Sequence, residues 1–249
     1  MTQFRKLSII IPVFNEERTL RQLVSAVEDV PLEMEKEIIL VDDCSTDGSR
    51  EIIHNFNITT FNVVNPRVRY KAVFLDKNQG KGAAVRRGFQ EATGDIVLIQ
   101  DADLEYNPND YPELIRPIME GRADVVYGSR FISRSKDSGS SNKIVYKHGY
   151  LFSQALNWFS NVLNGVRLTD MYTCYKVFSG DAIRQIYSHL ASKRFGIDPE
   201  LTAWVGKLNL RIIEVPISYR GRTYEEGKKI TWRDGIIALL ILLRYRICG

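Results

Sequence analysis

The chain has few cysteines, few histidines and no long apolar run, and each shortage excludes a class of protein. Its three cysteines, Cys44, Cys174 and Cys248, form no CxxC pair, which argues against a disulfide framework or zinc site and fits a reducing compartment. The three histidines are isolated, so no histidine-rich metal site is predicted. The apolar run near the start contains Pro12 and predicts no signal peptide. Residues 236–243 form an apolar run near the end that is far shorter than the roughly 20 residues of a membrane span.

Basic residues are concentrated in the last fifth of the chain. The 249 residues are 44% hydrophobic and 26% charged, with a net charge of +4, which is typical of a globular α/β protein. From Trp204 onward there are nine basic and four acidic residues. This excess indicates either a solvated basic face or a surface turned toward an anionic substrate or lipid headgroups.

Strand and helix patterns alternate through the first hundred residues. Apolar, β-branched runs predict buried strands, and apolar positions at helical spacing predict helices between them. The strands are expected at 7–14, 37–41, 70–75 and 96–100, and the helices at 17–29, after the turn and cap residues 45–48 through 56, and at 83–92. This order predicts βαβ units and a parallel sheet with helices on both faces. Because ligands bind beyond the carboxyl ends of such strands, we expect Glu16, Asp43 and Asp101 at one edge.

The second half of the chain is less regular. We predict strands at 124–127 and 210–219, a mobile loop at 134–142, and helices at 143–163, 179–187, 199–205 and 230–245. Pro216 lies in the second of these strands and indicates an edge position, because proline cannot donate to a neighbouring strand. Residues 57–69 receive no assignment. No internal repeat or linker is visible, so we predict a single domain.

Asp101, Ala102 and Asp103 follow a predicted buried strand directly. Two carboxylates on such a turn suit Mg²⁺ or Mn²⁺, which bind oxygen ligands together with substrate phosphates. Glu105 extends the acidic run. The alternative is a pair of capping residues at a strand-to-helix turn.

Four segments, in this order, resemble family 2 glycosyltransferases of the GT-A fold. They are residues 10–17 (IIPVFNEE), 41–48 (VDDCSTDG), 78–83 (NQGKGA) and 101–105 (DADLE). Within that family the chain is similar to the branch of dolichol-phosphate mannose synthases and bacterial polyprenyl-phosphate glycosyltransferases. The resemblance implies an α/β, Rossmann-like GT-A fold with a mixed, mostly parallel central sheet flanked by helices.

The resemblance also assigns the donor site. It implies that the nucleotide-sugar contacts Pro12, Phe14, Glu16, Asp43, Lys81, Asp101 and Ala102, and that Asp101, Asp103 and Glu105 hold Mg²⁺ or Mn²⁺. Two of these positions have simpler explanations. Glu16 suits the first turn of a helix, where the helix dipole favours acids, and Lys81 suits a solvated surface as well as a phosphate loop.

Three arginines are expected to bind the acceptor. Arg130 lies in a Gly-Ser-Arg segment, and Arg220 and Arg222 lie in 218–229, which resembles the bacterial branch. Arginine binds phosphate through two parallel hydrogen bonds; without the resemblance, Arg220 and Arg222 could be surface charge. Asp170 is expected to shape the donor-sugar pocket without acting as an essential base. The predicted catalytic residues are Asp101, Asp103, Arg130 and Asp170.

The implied reaction is inverting transfer of a hexose from a nucleotide-sugar, such as GDP-mannose or UDP-glucose, to a dolichyl or undecaprenyl phosphate. The second pKa of a phosphate monoester is about 6, so this acceptor is ionised at neutral pH and needs positioning more than deprotonation. Two alternatives remain: a family 2 enzyme that glycosylates a saccharide hydroxyl in polysaccharide synthesis, and a non-catalytic nucleotide-sugar-binding or scaffold protein.

The predicted domain divides into a nucleotide-sugar-binding half (1–105), an acceptor half (106–229) and a C-terminal amphipathic helix (230–249). This helix either packs on the core or lies in a membrane interface with its arginines toward headgroups. We expect a protein at the cytoplasmic face of the membrane, bound peripherally or through a membrane partner protein, and no nucleic-acid partner.

Overall fold

A computed structural model describes residues 4–59, 66–132, 147–221 and 232–247 of the chain. The described residues form seven strands: β1 (Lys6–Val13), β2 (Glu35–Asp42), β3 (Val68–Phe74), β4 (Ile96–Ile99), β5 (Val125–Ser129), β6 (Lys176–Ser179) and β7 (Ile212–Pro216). They also form eight α-helices: α1 (Leu20–Asp29), α2 (Ser49–Thr59), α3 (Lys81–Glu91), α4 (Tyr111–Met119), α5 (Lys147–Asn164), α6 (Gly180–Ile186), α7 (Ile197–Lys207) and α8 (Trp232–Ile247). The predicted loop at 134–142 and Arg222 lie outside these ranges.

The strands form one sheet in the order β3-β2-β1-β4-β6-β5-β7. The first four neighbours are parallel, β6 runs antiparallel to β4 and β5, and β7 is parallel to β5. This confirms the predicted mixed, mostly parallel sheet. β7 is an edge strand and ends at Pro216, as its proline indicated. The carboxyl ends of β1, β2 and β4 therefore meet at one edge.

Helix α1 shows how the sequence pattern becomes packing. Its apolar positions Leu20, Leu23, Val24 and Val27 are all buried, which gives the helix one continuous face against the core. The helix begins three residues later than predicted. The carbonyl of Glu16 accepts hydrogen bonds from the amides at 19 and 20, so residues 16–19 form a turn.

Two elements were not predicted. Helix α4 contains Pro117, and proline inside an apolar pattern normally argues against a helix. Strand β6 has only four residues, and no turn residues separate it from the preceding segment. Lys176, its first residue, is fully buried, so the strand does not show the apolar run expected at the centre of a sheet.

The terminal helix α8 packs against α5 and α7. Leu242 is fully buried, whereas Ile237 and Leu240 are about half exposed, at 47% and 60%. Leu242 therefore packs in the core, whereas Ile237 and Leu240 leave apolar surface exposed on another side of the helix. No helix in the described ranges is both long enough and apolar enough to cross a membrane.

Candidate active site

The loops after β1 and β2 are joined by hydrogen bonds at the carboxyl edge of the sheet. Asn15 has a positive φ of 56°, a conformation that asparagine adopts more readily than most residues. Its side-chain oxygen accepts from the amide of Thr46 at 2.8 Å, and its amide donates to the hydroxyl of Ser45 at 3.1 Å. The amide of Glu16 donates to the hydroxyl of Ser49 at 2.9 Å. These bonds fix the edge where the donor is expected.

The predicted base and ribose ligands lie at this edge with different contacts. Pro12, Phe14 and Glu16 are half-buried, and Glu16 accepts a hydrogen bond from the hydroxyl of Thr19 at 3.2 Å. This bond belongs to the turn before α1, in line with the simpler explanation of Glu16. A ligand role for the three residues stays a prediction.

Asp43 organises the loop before α3. Its side chain is only 2% exposed, and its two oxygens accept hydrogen bonds from the amides of Gln79 and Gly80, both at 2.7 Å. Burial raises the pKa of Asp43 and outweighs the opposing effect of these two bonds. The described hydrogen bonds of this carboxylate are with the loop, and its contact with the base or ribose stays a prediction.

Lys81 and Asp101 form an ion pair at the start of α3 and the end of β4. The lysine Nζ lies 2.7 and 2.8 Å from the two aspartate oxygens, and each side chain is 20% exposed. Burial disfavours both charges, but mutual attraction outweighs it, so the pKa of Lys81 is raised and that of Asp101 is lowered. The stability that Asp101 contributes is present above the usual carboxyl range and is lost only as the pH falls through its lowered pKa. The pair is therefore charged at neutral pH.

The acidic residues Asp101, Asp103 and Glu105 have different contacts. Ala102 is buried, Leu104 has a positive φ of 60°, and an oxygen of Asp103 accepts from the amide of Glu105 at 3.2 Å. A carboxylate oxygen of Glu105 accepts from the hydroxyl of Tyr219, also at 3.2 Å. Within the described ranges, no three acidic, histidine or cysteine side chains are grouped so that they could hold a metal ion.

The structure does not bring the predicted metal ligands Asp101, Asp103 and Glu105 into one cluster of three carboxylates. Asp101 binds Lys81 and Glu105 accepts from Tyr219, and a metal-ligand role for the three acids stays a prediction. Mg²⁺ is commonly held by one or two carboxylates plus substrate phosphates. Asp101 and Asp103 have the donor chemistry for that smaller site.

Arg130 and Asp170 form a second, more enclosed ion pair. The guanidinium donates to both oxygens of Asp170 at 2.7 and 2.8 Å, and the amide of Arg130 donates to the same carboxylate at 3.0 Å. Asp170 is only 2% exposed. The guanidinium also lies 5.0 Å from the centre of the Tyr219 ring, within the range of a cation–π contact. The structure thus joins two residues that the sequence placed in separate segments.

Glu214 in β7 supports this pair and was not predicted. Its carboxylate accepts from the amides of Thr169 and Asp170 at 2.7 and 2.9 Å. Burial raises the pKa of Glu214, and the neighbouring charge of Asp170 raises it further. Its position in the apolar run of an edge strand was the only signal available, because its partners lie 44 and 45 residues away.

Tyr219 joins the Arg130–Asp170 pair to the acidic turn that contains Glu105. Tyr106 and Tyr219 form an antiparallel bridge with ring centres 5.2 Å apart, and Tyr219 contacts both Glu105 and Arg130. The amide of Arg220 donates to the carbonyl of Glu105 at 2.9 Å, while its side chain is exposed. This places Arg220 beside the acidic turn.

Lys176 and Asp198 form a third pair, which was also not predicted. The fully buried lysine Nζ lies 2.5 Å from a carboxylate oxygen of Asp198 and 4.9 Å from the centre of the Tyr127 ring. The positive charge of Lys176 contributes to the lowered pKa of Asp101. A lysine among apolar strand residues was the signal that could have revealed it.

These features define an α/β fold with a mixed, mostly parallel sheet and charged pairs at the carboxyl edge of that sheet. A family model, described as glycosyl transferase family 2, matches residues 8–176. The chain belongs to glycosyl transferase family 2, and its fold is GT-A.

Curated relatives match about half of this chain. A dolichol-phosphate mannosyltransferase of Pyrococcus furiosus is 34% identical over 53% of this chain and 35% of its own length. An undecaprenyl-phosphate 4-deoxy-4-formamido-L-arabinose transferase of Proteus mirabilis is 38% identical over 48% of this chain and 35% of its own length. The matches span about a third of these relatives.

Solved structures agree in fold over nearly the whole chain. Glucosyl-3-phosphoglycerate synthase of Mycobacterium tuberculosis, in complex with Mn²⁺, uridine diphosphate and phosphoglyceric acid, has a TM-score of 0.68 at 18% identity and covers 98% of this chain and 79% of its own. The same enzyme with Mg²⁺ and uridine diphosphate also has a TM-score of 0.68, at 19% identity over 97% of this chain and 79% of its own. At these identities the likeness concerns the fold.

Proposed function

We propose that this protein transfers a hexose from a nucleotide-sugar to a polyprenyl phosphate, with inversion at the anomeric carbon. The observation that carries the proposal is the presence of two charged pairs, Lys81–Asp101 and Arg130–Asp170, the second of which Tyr219 joins to Glu105 in the acidic turn that follows Asp101. One pair suits a leaving diphosphate and the other an incoming phosphate.

The named relatives support this acceptor class. Their names specify transfer to dolichol phosphate or undecaprenyl phosphate. The GT-A structures that resemble this chain hold uridine diphosphate with Mn²⁺ or Mg²⁺, which supports a nucleoside diphosphate and a divalent ion in the donor site.

On the donor side, Lys81 would contact the diphosphate from the start of α3, where amide groups also favour anions. Asp103, with Asp101, would hold Mg²⁺ or Mn²⁺, which neutralises the charge that develops on the leaving diphosphate. Asp43 would contribute indirectly, by fixing the amides at 79 and 80. Pro12, Phe14 and Glu16 would line the base and ribose end of the same edge.

On the acceptor side, Arg130 would hold the phosphate, with Arg220 and Arg222 at the outer edge. Asp170 engages Arg130 through both oxygens, so its role is to position the arginine rather than to remove a proton. The acceptor is already ionised at neutral pH. Attack by its oxygen from the side opposite the diphosphate would invert the configuration.

Asp170→Asn tests this division of roles. We expect a fall of about tenfold in kcat, because one charge-assisted hydrogen bond to Arg130 is lost, with no change in the shape of the pH–rate profile. The measurement is kcat from pH 5.5 to 9 with a short-chain polyprenyl phosphate. Loss of the acidic limb, where the rate falls as a general base becomes protonated, would favour the saccharide-hydroxyl alternative.

Helices α5 and α8 support peripheral membrane binding. They pack together, and they expose Trp158 and Val162 on α5 and Ile237 and Leu240 on α8. Arg244 is also exposed, on the same side of α8 as Ile237 and Leu240 by helical spacing. Apolar side chains bordered by a cation suit an anionic lipid surface, and this would bring a lipid-linked acceptor to the site from the cytoplasmic leaflet.

Trp158→Ser combined with Leu240→Ser is expected to reduce binding to anionic vesicles at least about tenfold, because each side chain contributes about 1.5–3 kcal/mol when fully buried. Vesicle flotation at fixed lipid measures the effect. Met119→Ser, a change at a similarly exposed apolar residue of α4, is the matched control and should float like the parent chain. Equal flotation of all three proteins would contradict membrane binding by this surface.

A direct assay tests the proposed function as a whole. The protein is incubated with GDP-mannose, UDP-glucose or UDP-N-acetylglucosamine, with Mg²⁺ or Mn²⁺, and with a polyprenyl phosphate. We expect a lipid-linked sugar of inverted configuration from one donor, and its loss with excess chelator. Transfer only to saccharide acceptors, or full activity in chelator, would overturn the proposal.

A further inference from the structure

Glu200 in α7 is a buried acid outside the site described above. Its side chain is 0% exposed, and its two oxygens accept from the amides of Ala191 and Ser192 at 2.7 and 2.8 Å. The hydroxyl of Tyr245 in α8 donates to the same carboxylate. One carboxylate therefore joins the terminal helix to the segment of residues 191–194.

That segment braces the start of α3. The amide of Ala83 donates to the carbonyl of Lys193 at 3.0 Å, and the guanidinium of Arg86 donates to the carbonyl of Ala191 at 3.2 Å. The backbone of residues 191–194 thus carries hydrogen bonds to the first two turns of the helix that begins with Lys81.

Two glycines show how closely the segments approach. A Cβ added at Gly82 would lie 2.7 Å from the carbonyl oxygens of Ser192 and Arg194, and one at Gly80 would lie 2.7 Å from that of Lys193. Backbone oxygens cannot yield as the end of a flexible side chain can. The position of residues 191–194 therefore limits where the loop that carries Lys81 can lie.

Tyr245 is well placed to remain a donor in this network. Its ring packs edge-on against Trp204, with ring centres 5.9 Å apart. Burial, together with the adjacent Glu200, raises the pKa of Tyr245 to about 12. The phenol is therefore protonated at neutral pH and can donate to the carboxylate throughout the range in which the protein would act.

We propose that Glu200 and Tyr245 are positioning residues for the donor site: they fix residues 191–194, which in turn hold Lys81 where it meets the nucleoside diphosphate. The proposal rests on the proposed function, since it takes Lys81 to be a diphosphate ligand. It extends that function by giving the terminal helix a role in donor affinity, separate from its exposed apolar side.

The test is calorimetric binding of UDP and GDP, each with Mn²⁺, to the full chain and its variants. Glu200→Gln should weaken binding of the preferred nucleotide about tenfold, because the new amide group would point a donor at a backbone donor. Tyr245→Phe, a milder change that removes one hydrogen bond, should weaken it about threefold. In steady-state assays the donor KM should rise while the acceptor KM stays unchanged.

Two comparisons separate failure of this proposal from failure of the proposed function. Lys81→Met should abolish most nucleotide binding; if it binds like the parent chain, or if the parent binds neither nucleotide, the proposed function fails and this proposal fails with it. If Lys81→Met weakens binding but Glu200→Gln and Tyr245→Phe do not, only this proposal is overturned.

A stability control and a local measurement exclude a general loss of structure. Ile118→Val in α4 removes a buried methyl group far along the chain from this network, and it should lower the melting temperature without changing nucleotide affinity. Hydrogen exchange in Glu200→Gln should quicken at the amides of Ala191, Ser192 and Ala83. Equal weakening of binding by Ile118→Val, or unchanged exchange at these amides, would overturn the proposal.

Discussion

Asp101→Asn is expected to lower kcat/KM for sugar transfer about 10²–10³-fold, the usual loss when one preorganised charge-stabilising group is removed from an active site. Asp101 meets Lys81 through both oxygens, in a setting where each side chain is only 20% exposed. The neutral amide would leave Lys81 without its counter-charge. It would also lower the affinity for a metal ion held together with Asp103. Initial rates at saturating and limiting Mn²⁺, with the active donor, measure the effect.

Asp181→Asn is the matched control for this prediction. Asp181 also pairs with a cation, Arg184, but its side chain is 88% exposed, so its loss should leave the rate unchanged. Breaking the Lys81–Asp101 pair should also lower the free energy of unfolding by about 3 kcal/mol, and removing both charges should restore part of that loss. A Lys81→Met/Asp101→Asn double variant that regains stability but not activity would separate catalysis from folding. Activity near the parent level in Asp101→Asn would contradict the assignment.

The sequence was most informative where the chemistry is local. Apolar spacing located α1 through Leu20, Leu23, Val24 and Val27, and all four are buried. The acids after β2 and β4 were predicted to lie at one edge, because the carboxyl ends of parallel strands lie at the same edge of a sheet. The observed sheet has β2 and β4 on either side of β1, and all three run parallel. The proline in β7 correctly indicated an edge strand.

The sequence was least informative where function depends on pairing between distant segments. The resemblance implies that Asp43 contacts the nucleotide-sugar, but nothing in the sequence indicates that its oxygens bind amides 36 and 37 residues away. Glu214 and Glu200 likewise bind backbone amides rather than charged side chains. Backbone amides are present at almost every residue, so no residue type in the sequence marks the partner of such an acid.

Charge and burial also act together in ways that a pattern does not reveal. Lys176 is fully buried in a short central strand, and its charge is stabilised there by an ion pair with Asp198 and by the ring of Tyr127. The acidic run gives a related case, since Asp101 binds Lys81 and Glu105 binds Tyr219. Spacing along the chain locates these acids but does not indicate which side chains they contact.

Arg130 on the acceptor side has a matched control in the same chain, Arg211. Arg130 binds Asp170 through two guanidinium hydrogen bonds and one from its backbone amide. Arg211 binds Asp124 through the same three bonds, with the guanidinium ones at 2.7 and 3.0 Å. The difference is exposure: the Arg211 side chain is 59% exposed and that of Arg130 is 18% exposed.

Arg130→Lys should therefore lower kcat/KM for the polyprenyl phosphate about 10²–10³-fold, and Arg211→Lys should change it little. Lysine keeps the positive charge but cannot form the paired hydrogen bonds that orient both a carboxylate and a phosphate. Because Asp170 is buried, its second oxygen would also lose a partner, which adds a desolvation penalty of about 1–3 kcal/mol to the variant. Kinetics with varied acceptor at saturating donor, and nucleotide binding measured separately, distinguish an acceptor defect from a donor defect. If both lysine variants lose activity equally, the loss comes from a weakened fold and the assignment of Arg130 to the acceptor is contradicted. If neither loses activity, the acceptor phosphate is held elsewhere and the proposed acceptor site is wrong.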